Sequence, residues 1–317
     1  MKCKNCNKEI PDNTAACPFC GAAQQFTPVG LFDWDVLQDG NVEIKKYKGN
    51  DDNVVIPAEI DGRIVTKIGV KAFSSCESLV TITIPDSVSE IGRFAFFSCR
   101  SLTEVIFPKS VKVIGANAFR NCTALKSVKL PDKLEEIKDS TFKCCRSLTS
   151  VIITEAVTTI GESAFENCSS LTSVSIPEGV KWIYPAAFYS CSLLREITIA
   201  DSVEYICDAA FCWCESLTSV KLSNSITAIY ESTFRSCSSL KSIIIPEGVT
   251  CVGEGAFEGC TSLESINLPE SVTRILDSAF EGCSSLTSIS IPEGVKTGID
   301  SFKDSPLEGR FNDSLPE

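Results

Sequence analysis

Four cysteines near the start of the chain have the spacing of a metal site. Cys3 and Cys6 form one CxxC pair, and Cys17 and Cys20 form a second pair after a spacer of ten residues. Each pair can present two thiolates from one tight turn, and two such turns complete the tetrahedral sulfur shell that Zn²⁺ prefers. Metal binding would drive folding of so short a segment, with an apparent free energy of about 10–16 kcal/mol. We expect one structural zinc ion here, with two redox dithiols or two disulfides as the alternative.

The other cysteines fall into a repeated set and a scattered set. The scattered cysteines are Cys144, Cys207, Cys212 and Cys251. They occupy positions that carry polar or small residues elsewhere, so we expect some of them to be exposed, which favours a reducing compartment. The repeated cysteines would stack one strand spacing apart with Cβ vectors that do not converge. We expect them to be reduced, buried thiols, with a metal-binding or redox ladder as the alternative.

The composition argues against an enzyme. The chain contains no histidine, which excludes a Ser-His-Asp or Cys-His nucleophile system and any His-ligated metal site. Serine runs such as Ser169-Ser170 lack the flanking glycines of a nucleophile elbow. We therefore expect no catalytic residues and no small-molecule substrate.

The charge and the chain start indicate the compartment and the class of partner. The formal net charge is −12 and there is no cluster of lysines and arginines, which makes nucleic acid and anionic membranes poor partners. The start, MKCKNCNKEI, has no apolar stretch after its lysines, and nowhere do eighteen consecutive apolar residues occur. These features predict a cytoplasmic protein without a membrane span.

Phenylalanines recur every 23 residues through most of the chain. They are Phe73, Phe96, Phe119, Phe142, Phe165, Phe188, Phe211, Phe234, Phe257 and Phe280. Cysteine follows each of them by three residues and leucine by six, and then comes an alternating apolar segment such as Val174 and Ile176. A fixed period of this length predicts stacked coils, and the alternation predicts one short strand per coil. The expected fold is a mainly β solenoid with a parallel sheet on one face.

The two ends of the array differ from its middle. A hairpin with its turn at Asp39-Gly40 is expected to precede the repeats, and at the far end the period shortens by one residue, to Phe302. The predicted organisation is a zinc ribbon over 1–25, a linker over 26–33, a hairpin and capping repeat over 34–72, ten repeats over 73–295, and a cap with a tail over 296–317.

Two outward-facing sets of side chains are candidate partner surfaces. The first set is apolar, projects from the main strands, and consists of Ile106, Ile152 and Ile244. The second set is aromatic, shares outward positions in consecutive coils, and consists of Trp182, Tyr184, Tyr205 and Tyr230. Trp and Tyr combine apolar area with a polar group, which suits a protein or sugar contact. Solvated strand faces and ordinary surface filling are the alternatives.

The pattern I-G-x-x-A-F-x-x-C-x-x-L-x-x-V-x-I-P-x-x-V, repeated over about residues 54 to 302, resembles the BspA-like class of leucine-rich repeats. The resemblance implies a right-handed solenoid, and known members of this class are often surface proteins engaged in adhesion. The first 25 residues, with Pro11-Asp12 and the motif CPFCG, resemble short N-terminal zinc ribbons, which implies that all four cysteines are zinc ligands.

We therefore expect a non-enzymatic scaffold that presents a leucine-rich-repeat surface to a protein partner. A cell-surface adhesin exported by an unusual route is one alternative. A nucleic-acid-associated adaptor is another, in which Lys2, Lys4 and Lys8 give the ribbon a weak basic edge.

Overall fold

The computed structural model describes residues 8–9, 19–20 and 27–311. Over these residues the protein consists of 24 short strands and one 3-10 helix, Val29–Leu31, without any α-helix. The strands are Phe32–Val36 (β1), Val42–Tyr47 (β2), Asn53–Val55 (β3), Glu59–Ile60 (β4), Arg63–Ile68 (β5), Thr81–Thr83 (β6), Glu90–Ile91 (β7), Glu104–Val105 (β8), Val113–Ile114 (β9), Ser127–Lys129 (β10), Glu136–Ile137 (β11), Ser150–Ile152 (β12), Thr159–Ile160 (β13), Ser173–Ile176 (β14), Trp182–Ile183 (β15), Glu196–Ile199 (β16), Tyr205–Ile206 (β17), Ser219–Lys221 (β18), Ala228–Ile229 (β19), Cys251–Val252 (β20), Ser265–Asn267 (β21), Arg274–Ile275 (β22), Ser288–Ser290 (β23) and Lys296–Thr297 (β24).

The strands form two ladders along the array. Ladder A contains β3, β6, β8, β10, β12, β14, β16, β18, β21 and β23. From β6 onward its paired residues are 23 residues apart, as for Ser127 and Ser150 in β10 and β12, whereas β3 and β6 pair at a separation of 28, as for Asn53 and Thr81. This confirms a β solenoid with parallel pairing.

The prediction of a sheet on one face was incomplete, because a second ladder exists. Ladder B contains β1, β2, β5, β7, β9, β11, β13, β15, β17, β19, β20, β22 and β24, and its pairing is parallel from β2 onward. The second apolar pair of each coil, for example Val180 and Ile183, is fully buried. The backbone between such a pair must also find hydrogen-bond partners, and the neighbouring coil supplies them.

A third set of hydrogen bonds, the turn ladder, joins the turns that carry the phenylalanines. Phe165 N–H donates to the carbonyl of Ala187 in the next coil at 2.8 Å, and Ser163 N–H donates to the Pro185 carbonyl at 3.0 Å. The residues two before and two after each phenylalanine have positive φ, for example 55° at Ser163 and 60° at Asn167. With this alternation every second N–H points to the next coil, which gives three bonds per pair of coils, while the N–H groups between them bond within their own turn, as Ala164 does to the Gly161 carbonyl at 3.2 Å.

The turn ladder is the most regular connection between coils. Its three bonds join every neighbouring pair of coils from Phe73 to Phe302. Ladders A and B are each divided into three separate sheets, with breaks such as the one between β17 and β19 in ladder B. The turns therefore hold the coils in register even where the strands do not pair.

The phenylalanines form a continuous column through the core. All ten rings from Phe73 to Phe280 are fully buried, with neighbouring centroids 5.0–5.6 Å apart and ring planes within 3–14° of parallel. The column continues to Phe302 at 5.4 Å, and the last strand pair, Arg274 with Lys296, shows the expected period of 22. Offset stacking of this kind adds to the gain from burial alone.

The N-terminal end is capped by the predicted hairpin of β1 and β2. The hairpin places Phe32 and Tyr47 at the end of the phenylalanine column, where Tyr47 stacks on Phe73 at 5.4 Å. The predicted linker over 26–33 differs from the structure in its described part, since β1 begins at Phe32 and Thr27 is buried. Thr27 Oγ1 accepts a hydrogen bond from the N–H of Val55 at 2.9 Å, which occupies the open edge of ladder A.

A second hairpin was not predicted. Strands β4 and β5 pair in antiparallel fashion around Asp61-Gly62, whose φ values are 49° and 73°. Two consecutive positive φ values are typical of a two-residue hairpin turn.

Candidate functional site

The repeated cysteines are buried and hydrogen-bonded. From Cys99 to Cys283 each is fully buried, while Cys76 in the first coil is half-buried. Cys168 Sγ donates to the carbonyl of Phe142, 26 residues earlier, at 3.3 Å, and the same contact recurs in every coil from Cys99 onward. Burial raises the pKa of the thiols, to about 12 at Cys191 and Cys283. A thiol held protonated in this way is a poor nucleophile and a poor metal ligand.

The scattered cysteines are less accessible than expected. Cys212 and Cys251 are buried, and Cys144 and Cys207 are half-buried, so none of the four has the exposed thiol that the sequence suggested. Burial raises the pKa of Cys212 to about 11. These positions carry polar or small residues in other coils, such as Asn167 at the position of Cys144 and Gly161 at the position of Cys207.

Most of the predicted zinc ligands lie outside the described residues. Cys3, Cys6 and Cys17 are among the residues that the structure does not describe, and Cys20 is exposed. Close to it, Lys8 Nζ lies 4.7 Å from the centroid of the Phe19 ring. Within the described residues no cluster of three or more Cys, Asp or Glu could hold a metal ion, and no helix is long and apolar enough to span a membrane.

The position four residues before each phenylalanine is close-packed in most coils. It is glycine at Gly92, Gly115, Gly161 and Gly253 among others. A Cβ added at these four glycines would lie 2.4–2.7 Å from the nearest atom of the preceding coil. Glycine at this position is therefore the choice that lets neighbouring coils approach.

Three consecutive coils depart from this glycine column. They carry Tyr184, Cys207 and Tyr230 at the same position. At the glycines the backbone N–H donates to a carbonyl of the preceding coil, as Gly161 does to Ile137. Tyr184 and Cys207 keep this bond, to the carbonyls of Ile160 and Ile183, both at 2.9 Å. Lys138 and Leu276 also occupy this position in single coils, but these three are consecutive, so their side chains lie next to one another on the surface.

The predicted aromatic residues come together on this part of ladder B. We call Trp182, Tyr184, Tyr205 and Tyr230 the aromatic patch. Trp182 pairs with Tyr205 in the strand register, and their rings stack at 3.8 Å with an interplanar angle of 8°. Tyr184 lies 6.1 Å from Trp182 and is 42% exposed, while the other three residues are half-buried. The patch belongs to three neighbouring coils.

Tyr230 borders the centre of the patch. Burial raises the pKa of its phenol, and electrostatic interaction with the nearby Cys207, Tyr205 and Asp208 raises it further. The phenol therefore faces the coil of Tyr205 and Cys207 and remains protonated at neutral pH.

The three isoleucines predicted on ladder A are exposed, but they are separate from one another. Ile106 is 72%, Ile152 57% and Ile244 86% exposed, and whole coils lie between them. Ile106 borders a groove with Phe107 and Lys109. Three isolated side chains form a weaker surface than the aromatic patch, because scattered apolar residues are normal on protein surfaces.

The sequence-based reasoning missed a row of carboxylates beside the patch. The residue three before each phenylalanine is acidic and exposed in six coils. We call these residues the acidic row: Asp139, Glu162, Asp208, Glu231, Glu254 and Asp277. The phase of the repeat is a signal that could have revealed the row, since the spacing is 23 residues except at Pro185, which takes the position in the coil of Tyr184.

The comparisons with known proteins agree with this architecture. The model of the BspA type leucine rich repeat region matches residues 50–172, 135–260 and 204–309. No curated protein matches the chain.

Several solved structures are similar. The leucine-rich repeat protein of T. pallidum is 30% identical over 68% of this chain and 91% of that chain, with a TM-score of 0.50. A leucine-rich cell surface protein of Faecalibacterium prausnitzii A2-165 is 30% identical over 84% and 95% of the two chains, with a TM-score of 0.41. A leucine-rich repeat protein of Bacteroides ovatus is 27% identical over 86% and 90%, with a TM-score of 0.40. Because the family model covers most of the coils described above, this chain belongs to the BspA type leucine-rich repeat family.

Proposed function

We propose that this chain is a non-enzymatic scaffold that binds a protein partner through the outer surface of its repeats. The observation that carries the proposal is the aromatic patch, where three consecutive coils replace the close-packed position with Tyr184, Cys207 and Tyr230. Single departures from the repeat occur elsewhere, at Lys138 and Leu276, but only here do aromatic residues replace glycine in a run of consecutive coils, which supports a role outside the fold.

The ring arrangement favours a protein over a sugar as the partner. Trp182 and Tyr205 cover one face of each other at 3.8 Å, so those two faces are not open to a sugar. A sugar that stacks on an aromatic residue needs an open face. Aromatic rings that carry a phenol or an indole N–H suit the mixed apolar and polar contacts of a protein interface.

Affinity capture from a cell lysate with the full chain as bait tests this proposal. The wild-type chain is compared with two double variants: Trp182→Ser with Tyr205→Ser, and Ile106→Ser with Ile244→Ser. We expect a partner, identified by mass spectrometry, to be retained by the wild type and by the isoleucine variant and lost by the aromatic variant. A partner lost only by the isoleucine variant would move the interface to ladder A. Capture of no protein above a bead control would contradict a scaffold role.

For the N-terminal segment we propose one structural zinc ion held by Cys3, Cys6, Cys17 and Cys20. Four thiolates are a complete ligand set for zinc and leave no open position for a reacting water molecule. The supporting observation is the pair of CxxC motifs. Elemental analysis of the full chain should find about one zinc per chain, and none in a Cys17→Ser, Cys20→Ser variant. A metal-free wild type whose four thiols resist alkylation would instead support disulfides.

The location is proposed to be the cytoplasm, with the cell surface as the alternative. The reduced, buried cysteines of the repeats are compatible with a reducing compartment. Fractionation of source cells followed by immunoblotting discriminates the two locations, because a surface protein is accessible to added protease in intact cells.

A further inference from the structure

The aromatic patch contains a gap that is bordered by two tyrosines. Tyr184 and Tyr230 occupy equivalent positions two coils apart, with Cys207 between them. Two strand spacings of about 4.8 Å place their backbones roughly 10 Å apart. The half-buried Cys207 is shorter than a tyrosine, so the middle of this row is lower than its two ends.

The break in ladder B lies next to this gap. β15 and β17 pair through Trp182 and Tyr205, but in the described chain β17 and β19 do not pair. The residue equivalent to Trp182 and Tyr205 in the next coil is the small Ala228. The side of Tyr205 that faces away from Trp182 therefore has no third ring of its own row stacked on it.

The acidic row supplies negative charge along one side of the gap. Asp208 and Glu231 are exposed and directly follow Cys207 and Tyr230 in sequence. Their own carbonyls accept turn-ladder bonds from Ala186 and Ala209 at 2.9 and 2.8 Å, so the backbone of the row is held in place.

The carboxylates of the acidic row are not neutralised within the described structure. Some basic residues near the gap pair with other carboxylates, namely Lys181 with Glu204 at 3.1 Å and Arg235 with Glu258 at 2.6 Å. No described lysine or arginine forms an ion pair with a member of the acidic row. The row adds to the net charge of −12 and concentrates negative charge beside aromatic rings.

We propose that the gap between Tyr184 and Tyr230 receives a cationic side chain of the partner, and that the partner is a basic, arginine- or lysine-bearing peptide segment. This inference rests on the proposed scaffold function and names its partner class. Two rings about 10 Å apart would hold a cation about 5 Å from each, inside the range of about 6 Å for cation–π attraction. Asp208 and Glu231 supply the opposite charge, and a guanidinium can pair with a carboxylate while it stacks on a ring.

The acidic row also suits a peptide rather than a single ion. Its members recur at every coil on both sides of the gap, from Asp139 to Asp277, interrupted at Pro185. Basic residues that flank the inserted side chain would therefore meet further carboxylates along the array. Charge complementarity of this kind speeds association and makes binding sensitive to salt.

Fluorescence anisotropy with the full chain and a defined probe tests the inference. The probe is a labelled peptide of three arginines separated by Gly-Ser, and its control is the same peptide with citrulline, which is neutral but similar in shape. We expect saturable binding of the arginine peptide that weakens at high salt, and at least tenfold weaker binding of the citrulline peptide. Absence of saturable binding to the arginine peptide would overturn the proposal.

Matched variants locate the binding site. Tyr184→Ser with Tyr230→Ser, and separately Asp208→Asn with Glu231→Gln, should each weaken binding at least tenfold. Glu178→Gln with Glu247→Gln makes the same change in charge at exposed turns that follow ladder A, and we expect it to alter affinity less than twofold. Equal losses in the two charge variants would show unspecific attraction and overturn the site.

Two further measurements keep the test decisive. Tyr184→Phe with Tyr230→Phe retains both rings, so it should bind like the wild type, and circular dichroism checks that each variant is folded. The scaffold function itself is tested separately, by the capture experiment. A captured partner that survives Tyr184→Ser with Tyr230→Ser but is lost by the isoleucine variant would preserve the scaffold and exclude the basic peptide at this gap.

Discussion

At the scale of single residues, the cysteine column explains why this position is cysteine rather than serine or alanine. The Phe142 carbonyl accepts one bond from Cys145 N–H at 3.1 Å and a second from Cys168 Sγ at 3.3 Å. A thiol fills a small apolar space and still offers a weak donor to the second lone pair of a buried carbonyl. Alanine would leave a void, and serine would carry a more strongly hydrated group into the core.

The raised thiol pKa values predict that the protein loses stability in alkali. Cys191 and Cys283 have pKa values of about 12, against an ordinary value of 9.0. Above pH 9 the unfolded chain releases thiol protons that the native chain retains, so stability is complete below pH 9 and falls as pH rises towards 12. Each thiol contributes a slope of about 1.4 kcal/mol per pH unit. Melting temperatures measured from pH 7 to pH 11 check this expectation.

A variant lacking two column thiols provides the control for that measurement. Lysines and tyrosines also titrate in this range, but Cys168→Ala with Cys191→Ala leaves their number unchanged. The variant should be less stable at pH 7 and should lose stability less steeply above pH 9. An unchanged alkaline slope would mean that the column thiols do not govern the transition.

At the scale of elements, the turn ladder is the connection that repeats without interruption between neighbouring coils. Its residues adopt left-handed φ values in every coil, and most of them are serine, asparagine or alanine rather than glycine, as with Ser190 at 56°. The cost of each left-handed residue is about 1–2 kcal/mol. It is offset because each such N–H finds a carbonyl in the next coil, as Ser190 finds Cys212 at 2.8 Å.

A β-branched residue at a left-handed position should be destabilising. Ser190→Val is expected to lower the free energy of unfolding by about 1–2 kcal/mol, because a second branch at Cβ is strained at positive φ. Ser190→Gly should be close to neutral, since relief of strain is offset by the greater entropy of the unfolded chain. Urea denaturation measures both variants.

Valine in a strand of the same coils is the matched control. Ser173 is exposed in β14, and Ser173→Val should be neutral or slightly stabilising because extended backbone suits branched residues. Equal destabilisation by the two valine variants would show that left-handed geometry is not the cause.

At the scale of the whole molecule, each coil contacts only its neighbours, so stability is shared through interfaces along one dimension. The phenylalanine column and the turn ladder cross every interface, whereas ladders A and B are interrupted. The caps close the column at both ends, with Tyr47 on Phe73 and Phe311 on Phe302 at 4.9 Å.

The position of a cavity along the phenylalanine column should determine how many coils lose hydrogen-exchange protection. Phe165→Ala removes a fully buried ring from the middle of the array, at a cost of about 3–5 kcal/mol. It should lower hydrogen-exchange protection in coils on both sides, and the unfolding transition should broaden or split. Phe280 lies near the end of the array, so Phe280→Ala should lower hydrogen-exchange protection mainly in the last coil and its cap. Identical protection patterns in the two variants would contradict one-dimensional coupling.

The partner class was not predictable from the sequence alone, although the location of the patch was. The common phase of Trp182 and Tyr205 predicted their proximity, and their stacking confirms it. The charge of Asp208 and Glu231 became informative only when the turn ladder fixed both next to the tyrosine row and the nearby Lys181 and Arg235 were found to pair with other carboxylates. That the patch binds a partner stays a prediction.

The sequence by itself determined the repeat, its period and its core, because burial of apolar side chains imposes a local periodicity that can be counted along one coil. Only the tertiary structure decided how the coils meet. Ladder B, the left-handed turns without glycine and the bond from Cys168 to a carbonyl 26 residues earlier all depend on the register between neighbouring coils. A side-chain pattern within one coil specifies which face is buried, but it carries little information on backbone hydrogen bonds made to the next coil.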